Sequence, residues 1–435
     1  MIKLGNVHWN SLPGPEDITR VELQNGITVL VRSNFNSPSV VLGGYLSCGS
    51  VYDNDDKLGL SYLTALSLMR GTDRRDFQAI YDALESVGAS LGFGSSIHTT
   101  SFTGRALVDD LPLLFTTLAE SLRQPTFPQD QVERLRAQIL TALAIRSQDT
   151  DEMASLEFDR CLFPSHPYGR PESGYPETVQ AIQRQDLIDF HRQYYGPRQM
   201  VLVMVGGVEA AQVLDVVNAT LGDWQNPDQP ESIELDPPQP LPSPHRAHVE
   251  IPGKSQTDLM MGNLGPRRRS EDYLPALLGN SVLGQFGMMG RIGDVVREQA
   301  GLAYYASTSL SSWIAAGSWE VSAGVNPANL KAAIDLIQQE ILRFTSEPVT
   351  NEELQDSQSN FIGRLPLSME SNAGVVNALL NLERFDLGLD YYQKYPSAIA
   401  GITPASVLDV ARKYLTPEST VTVSAGTSPG DTTDV

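Results

Sequence analysis

Basic residues are scarce in this sequence, and their scarcity argues against one class of partner. Lys and Arg together number 31, against 52 Asp and Glu, which leaves a formal net charge of −21 at pH 7. A surface that follows a phosphate backbone needs clustered positive charge. The balance therefore argues against DNA or RNA as a partner. It fits either a soluble protein or one that receives basic or extended substrates.

Cysteines and long apolar runs are also lacking. Cys48 and Cys161 are too few for a disulfide framework and have no CxxC spacing. No run of 18 apolar residues is present, so no transmembrane helix is predicted. Residues 1–17 lack the apolar core of a secretory signal. These absences predict a cytoplasmic protein without a membrane span.

A duplication organises the 435 residues, which are long enough to bury a sizeable core. Residues 175–206 align without a gap on residues 395–426, a shift of 220, with ten identities in 32 positions. Each copy is predicted to form a helix, a proline-marked turn and an apolar strand that ends at glycine.

The boundary between the two copies is predicted from composition. Residues 225–244 are rich in proline and acidic residues, which is typical of an extended linker. The first half is then 1–224 and the second is 245–435. Strand-like segments followed by helical ones predict an α+β fold of two homologous halves. In each half an antiparallel-rich sheet is covered by helices on one face.

One segment of the first half resembles a known zinc site. Residues 59–72, GLSYLTALSLMRGT, resemble the zinc-site helix of the inverzincin metallopeptidases, the pitrilysin and mitochondrial processing peptidase family. That family places H-x-x-E-H between the Gly-Leu start and the Gly-Thr end. HPYGRP at 166–171 and REQAGLAY at 297–304 resemble it too. The resemblance implies that the chain forms half of a clam-shell peptidase chamber.

The catalytic residues implied by this resemblance are absent. The two zinc histidines fall on Tyr62 and Leu66, the general base on Ala65, and the distal glutamate ligand on Ala142. Residues at i and i+4 share a helix face and can hold one zinc ion, but an alkyl group has no lone pair to offer. We therefore predict a structural helix, with no metal bound by this chain.

The same helix carries a polar stripe. Ser61, Thr64, Ser67 and Arg70 recur at a spacing of three. This spacing predicts that the other faces of the helix pack into the core.

No other group of residues assembles an active site in the sequence. The histidines are His8, His98, His166, His191, His245 and His248. His245 and His248 form an H-x-x-H that we interpret as solvated loop residues in the linker. His98 is predicted on the solvated face of a strand and His166 in a turn. His191 aligns with Ala411 in the repeat, so the fold does not require it.

Residues 283–309 resemble the region where the family carries a glycine-rich loop followed by an Arg and a Tyr. The glycines of this loop are Gly284, Gly287 and Gly290. The resemblance places Arg297 and Tyr304 in the chamber, where the pair contacts substrate and the Tyr helps to polarise the scissile carbonyl. Gly301 is predicted to end a helix in the left-handed conformation.

A structural interpretation of the same pair stays open. In that interpretation Arg297 pairs with Glu298 or Asp294, and Tyr304 packs in a core.

The leading hypothesis is a non-catalytic, substrate-binding subunit of a heterodimeric zinc metallopeptidase. A homologous partner would carry H-x-x-E-H and the zinc, and this chain would supply Arg297 and Tyr304. The substrate would be a peptide or an unfolded segment. The alternatives are a structural scaffold, or a peptide-binding homologue with no role in hydrolysis.

Overall fold

The computed structural model describes residues 12–428 and contains two mixed sheets. The strands of the first sheet are β1 (Thr19–Glu22), β2 (Thr28–Ser33), β3 (Ser39–Leu46), β4 (Ser90–Ser95), β5 (Thr100–Leu107) and β6 (Val201–Gly206). Their order is β1-β2-β6-β3-β5-β4, in which only β2 and β6 are parallel neighbours.

The second sheet repeats this topology without a counterpart of β1. Its strands are β7 (His245–Glu250), β8 (Thr257–Gly265), β9 (Ala303–Ser312), β10 (Gly317–Val325) and β11 (Val421–Gly426). The order is β7-β11-β8-β10-β9, and the parallel pair is β7 with β11. The two sheets therefore share one strand plan.

The helices follow the same division. Those of the first half are α1 (Leu60–Ser67), α2 (Phe77–Glu85), α3 (Leu111–Arg123), α4 (Gln129–Arg146), α5 (Thr150–Leu162), α6 (Pro176–Ala181), α7 (Arg184–Tyr194) and α8 (Ala210–Leu221). Those of the second half are α9 (Tyr273–Gly284), α10 (Phe286–Gly293), α11 (Leu330–Ser346), α12 (Asn351–Ser368), α13 (Asn372–Arg384), α14 (Tyr391–Ala400) and α15 (Pro404–Tyr414). Among residues 12–428, no helix is long and apolar enough to cross a membrane.

The duplication found in the sequence is present in the fold. Helix α15 lies 220 residues after α7, and β11 lies 220 residues after β6, with matching lengths in both pairs. The segment 225–244 forms no helix or strand. The predicted α+β fold of two homologous halves is confirmed.

Each sheet is covered on one face by helices of its own half, as predicted. Helices α3 and α8 pack on β5 and β2 in the first half, and α9 and α15 pack on β9 and β8 in the second. Side chains alternate along β6, so Leu202 and Met204 face the core of the first half.

The opposite face of each sheet receives a helix from the other half. Helix α13 packs on β6 and β3, and α5 packs on β11 and β8. Val203 of β6 shares a buried cluster with Val376 and Leu379 of α13. Gly43 of β3 permits this approach, because a Cβ atom there would lie 2.4 Å from a methyl carbon of Val376. This exchange of helices was not predicted from the sequence.

Because α13 packs on the sheet of the other half, shortening a buried side chain on its apolar face should lower the stability of the fold substantially. Leu379 is fully buried between the halves. We expect Leu379→Ala to lower the free energy of unfolding by about 2–5 kcal/mol, since a cavity forms where the side chain was. Leu342→Ala is the control, because Leu342 is 59% exposed on α11 and should change stability by less than about 0.5 kcal/mol. Denaturant unfolding measures both, and equal effects would contradict the packing role.

Candidate functional site

Helix α1 buries the face that the sequence analysis expected to be exposed. Ser61, Thr64 and Ser67 are all fully buried, so the interpretation of the polar stripe was wrong for these three residues. The Ser67 hydroxyl donates to the Leu63 carbonyl one turn earlier, which satisfies it inside the helix. Arg70 alone lies partly exposed, with its guanidinium 4.8 Å from the centre of the Phe77 ring.

Asp53 fixes the start of this helix. Its carboxylate accepts hydrogen bonds from the Gly59 N–H at 3.0 Å, the Ser61 N–H at 2.9 Å and the Ser61 hydroxyl at 3.2 Å. Burial raises the pKa of Asp53 to about 7, while these donors act in the opposite direction. Because one face of α1 is held in this way, the face with Tyr62 and Leu66 turns toward a cavity.

The zinc positions implied by the resemblance lie around that cavity. It has a volume of about 340 Å³, and Tyr62, Leu66 and Ala142 line it together. Helices α1 and α4 pack against each other there. Ala65 is only 1% exposed and points away from the opening. The structure therefore brings three of the four positions to one place.

These residues do not fit a catalytic zinc. Zinc needs thiolate, imidazole or carboxylate ligands, and the cavity offers a phenol and alkyl groups at the three positions. Across residues 12–428, no three His, Cys, Asp or Glu side chains lie close enough together to hold a metal ion.

Sequence reasoning missed one charged group in this cavity. Arg146 follows Ala142 by one helical turn on α4 and lines the same space. An i,i+4 search from Ala142 would have found it.

The three glycines are not part of one open loop. Gly284 ends α9, while Gly287 and Gly290 lie in α10 with φ of +66° and +63°. A Cβ atom on Gly284 would lie 2.4 Å from a methyl carbon of Thr308 in β9. A Cβ atom on Gly290 would lie 2.5 Å from the Gly284 nitrogen. These two glycines permit close packing, whereas Gly287 has open space around it.

Arg297 and Tyr304 flank a turn at the start of an edge strand. Arg297 lies in the π-helical turn Asp294–Gln299, and Gly301 has φ +64°, so the predicted left-handed glycine is confirmed. The Gly301 N–H donates to the Arg297 carbonyl at 3.1 Å. Strand β9 then begins at Ala303.

The side chains of this pair have different surroundings. The Nε atom of Arg297 lies 3.5 Å from a carboxylate oxygen of Glu298, in a half-exposed ion pair that the structural interpretation predicted. Tyr304 is 66% exposed, so the alternative in which it packs in a core was wrong. An exposed ion pair of this kind contributes at most about 1 kcal/mol, so the guanidinium can change partner.

The remaining histidines have structural partners or lie on the surface. His245 and His248 lie on β7 rather than in the linker, and His248 contacts the Ser424 hydroxyl at 2.8 Å. His98 lies in the turn between β4 and β5, half-buried, and Nε2 is 2.8 Å from the Tyr168 hydroxyl. Its predicted place on a solvated strand face was wrong. His166 caps a short 3₁₀ turn, and His8 lies outside the described residues.

His191 is partly buried on α7, and its side chain reaches the C-terminal end of α3. Its Nε2 atom is 2.8 Å from the Leu122 carbonyl oxygen. Burial lowers the pKa of His191 to about 4, since the charged ring would be poorly solvated there.

Two models of one peptidase family match most of the chain. Residues 28–164 match the model described as Insulinase (Peptidase family M16), and residues 181–361 match Peptidase M16 inactive domain. The chain belongs to peptidase family M16. The resemblance to the pitrilysin and mitochondrial processing peptidase family is thereby confirmed.

Relatives of the chain carry protease names. An uncharacterised zinc protease of Streptomyces coelicolor is 24% identical over 401 residues, which are 92% of this chain and 87% of that protein. An uncharacterised zinc protease of Bacillus subtilis is 22% identical over 357 residues, 81% of this chain and 85% of that protein. A probable mitochondrial-processing peptidase subunit beta of Arabidopsis thaliana is 28% identical over 211 residues, 48% of this chain and 39% of that protein.

Two solved structures share the M16 fold. A peptidase M16 inactive domain from Pseudomonas fluorescens superposes with a TM-score of 0.88 at 26% identity, covering 94% of this chain and 98% of that one. A protease from Helicobacter pylori superposes with a TM-score of 0.88 at 17% identity, covering 95% of this chain and 100% of that one.

The side chains that line the cavity predict that this chain does not bind zinc. We expect the purified chain to hold no stoichiometric zinc and to hydrolyse no peptide, because the ligand positions carry Tyr62, Leu66 and Ala142. The triple variant Tyr62→His, Leu66→His, Ala142→Glu places three ligands around the same cavity and should bind one zinc per chain. Elemental analysis after dialysis measures both. One zinc in the unaltered chain, lost with activity on chelation, would contradict the prediction.

Burial of His191 predicts a loss of stability at acidic pH. The folded pKa lies below the unfolded value of about 6.5, so the unfolded chain binds more protons between the two. Stability should fall as pH drops through 6.5 toward 4, by about 2 kcal/mol between pH 7 and 5 for this group.

His191→Ala should remove that part of the pH dependence, since the repeat carries buried Ala411 at this position. His245→Ala is the control, because His245 is exposed on β7. Denaturant unfolding at pH 7 and pH 5 tests this. An unchanged pH slope in His191→Ala would contradict it.

Proposed function

We propose that this chain is the non-catalytic, substrate-binding subunit of a heterodimeric zinc metallopeptidase. A homologous subunit carries H-x-x-E-H and the zinc, and the pair hydrolyses peptides or unfolded segments. This chain supplies Arg297 and Tyr304 to the partner's active site. The observation that carries the proposal is the exposed side chain of Tyr304, across one turn of the chain from Arg297, in an M16 chain whose own zinc positions hold no ligand.

The proposed roles follow from the chemistry of the two side chains. The partner's zinc supplies an activated water when bound. Tyr304 donates a hydrogen bond to the oxygen of the scissile carbonyl, where negative charge develops. Arg297 exchanges its weak pairing with Glu298 for a substrate carbonyl or carboxylate. Glu298 lies next to it in the chain and holds the guanidinium near the turn until substrate arrives.

The substrate is proposed to bind in extended form. Strand β9 is the last strand of the second sheet and pairs only with β10 among the described strands. An extended peptide can add to such an edge through main-chain hydrogen bonds. Tyr304 lies at the beginning of this strand, so an added peptide would pass beside its hydroxyl.

Association with a partner is supported by exposed apolar residues in both halves of the chain. Ile145 on α4 is 68% exposed and Phe286 on α10 is 37% exposed. Burying such groups against a second subunit is favourable. A cytoplasmic location is part of the proposal, since Cys48 and Cys161 are both buried and unpaired.

The proposal predicts that the two residues act on different steps. With an H-x-x-E-H homologue from the same organism, the chain should form a 1:1 complex that is more active than the homologue alone. In that complex Tyr304→Phe should lower kcat by about 10²–10³, because one oxyanion donor is lost. Arg297→Ala should chiefly raise KM, because the guanidinium contacts bound substrate and transition state alike. Steady-state kinetics with a quenched peptide measures both.

Controls separate this outcome from a loss of folding. Each variant should keep the melting temperature, the 1:1 assembly and the partner's zinc. Tyr81→Phe serves as a matched control, because Tyr81 lies on α2 of the first half and should leave both kinetic constants unchanged. Equal activity with and without this chain would favour the structural scaffold. Unchanged kinetics in both site variants would remove Arg297 and Tyr304 from the function.

A further inference from the structure

The cavity at the former zinc position has the composition of a small ligand site. Most of its lining is apolar, and the walls come from α1 and α4. Leu66, Leu135, Ile139 and Leu143 supply this apolar surface. A volume of about 340 Å³ lies at the small end of the range of about 300–1,000 Å³ that ligand pockets occupy. The loss of zinc ligands has therefore left a pocket rather than a filled core.

Arg146 is the one charged side chain in the lining of this cavity. Its guanidinium donates to the Ser173 hydroxyl at 3.0 Å and to the Gly174 carbonyl at 2.9 Å. These bonds use two of its five N–H donors and orient the group. Within residues 12–428, no carboxylate oxygen lies within 4 Å of it.

The electrostatic setting of Arg146 favours an anion. Burial lowers the pKa of Arg146, and the nearby Tyr175 and Glu152 oppose this effect only in part. A cation that has lost some of its water and has no ion-pair partner gains most from an anion that enters the cavity.

We propose that this cavity binds a carboxylate carried next to an apolar side chain, as at the C-terminus of a peptide that ends in an aliphatic or aromatic residue. The apolar group occupies the space between Leu66 and Ile139, and the carboxylate accepts hydrogen bonds from Arg146. The site lies in this chain alone and requires no partner subunit. It goes beyond the role proposed for Arg297 and Tyr304.

Four small probes test the two parts of this chemistry on the purified chain. N-acetyl-leucine carries both the carboxylate and the apolar group. N-acetyl-leucinamide lacks the charge, acetate lacks the apolar group, and octanoate is a free aliphatic acid. Isothermal titration should show binding of N-acetyl-leucine about tenfold or more tighter than that of the amide, since a charge-assisted hydrogen bond is lost. Acetate should not bind measurably.

The comparison with octanoate identifies the source of the ligand. Weaker binding of octanoate than of N-acetyl-leucine supports a peptide C-terminus. Equal or tighter binding of octanoate supports the shared apolar carboxylate chemistry and assigns it to a free acid.

Two variants locate the site. Arg146→Gln should bring the affinity for N-acetyl-leucine down to that for the amide, and Arg146→Lys should give an intermediate value. Ala142→Leu should abolish binding of both, because it fills the cavity from the exposed side of α4 while the arginine is retained. Arg134→Gln is the matched control, since Arg134 is exposed on the same helix.

Three outcomes would overturn the inference. They are equal binding of acid and amide, retention of affinity in Ala142→Leu, and equal loss in Arg134→Gln. If Arg146→Gln fails to fold, Ala142→Leu still decides, because an exposed alanine on a helix tolerates leucine. Binding is measured without a partner subunit, so failure here leaves the kinetic test of Tyr304 unaffected.

Discussion

Helices α5 and α13 each bury an apolar face on the sheet of the opposite half, and the geometry of the candidate site depends on this contact. Helix α5 follows α4 after three residues, so the position of α4 is tied to the second sheet. Helix α4 carries one wall of the cavity, while α1 carries the other. The spacing between the walls therefore reflects packing between the halves as well as within the first one.

The M16 fold and the absent zinc ligands can be understood together. Asp53 fixes the start of α1 through hydrogen bonds from Gly59 and Ser61, which involve no metal. The face that would hold zinc in an H-x-x-E-H protein is consequently free to change its side chains at little cost to folding. Tyr62 and Leu66 contact the first-half core only along one side. The chain thus keeps the M16 fold although the positions that align with the zinc ligands carry Tyr62, Leu66 and Ala142.

The features of the fold that a local pattern or a repeat encodes could be predicted from the sequence. The ungapped alignment located α7 with α15 and β6 with β11, because helix and strand lengths were preserved. Prediction failed where a side chain contacts a residue that is distant in the sequence. The polar residues of α1 were predicted to be exposed. Their burial depends on the contact between Ser61 and Asp53 and on tight helix packing, and a local sequence pattern shows neither. The helix α13 was not singled out in the sequence, and no local pattern tells which sheet its apolar face meets.

Other errors had a signal that was available. In β7 the sequence HRAHVE alternates, with Ala247 and Val249 less exposed than their neighbours, which is typical of an edge strand. The resemblance assigned Gly284 and Gly290 to a glycine-rich loop, yet here glycine permits close contact between backbones rather than an open loop. A single sequence does not separate these two uses of glycine.

The exchange of helices also means that the first sheet is synthesised well before the helix that covers its outer face. The first sheet is complete in sequence at Gly206, but the helix that covers its outer face starts 166 residues later, at Asn372. At about 5–20 residues per second, roughly ten to thirty seconds of synthesis separate the two. During that interval Val203 and its neighbours on the sheet lack their final cover. The nascent first half is therefore a natural client for chaperones until the second half is nearly finished.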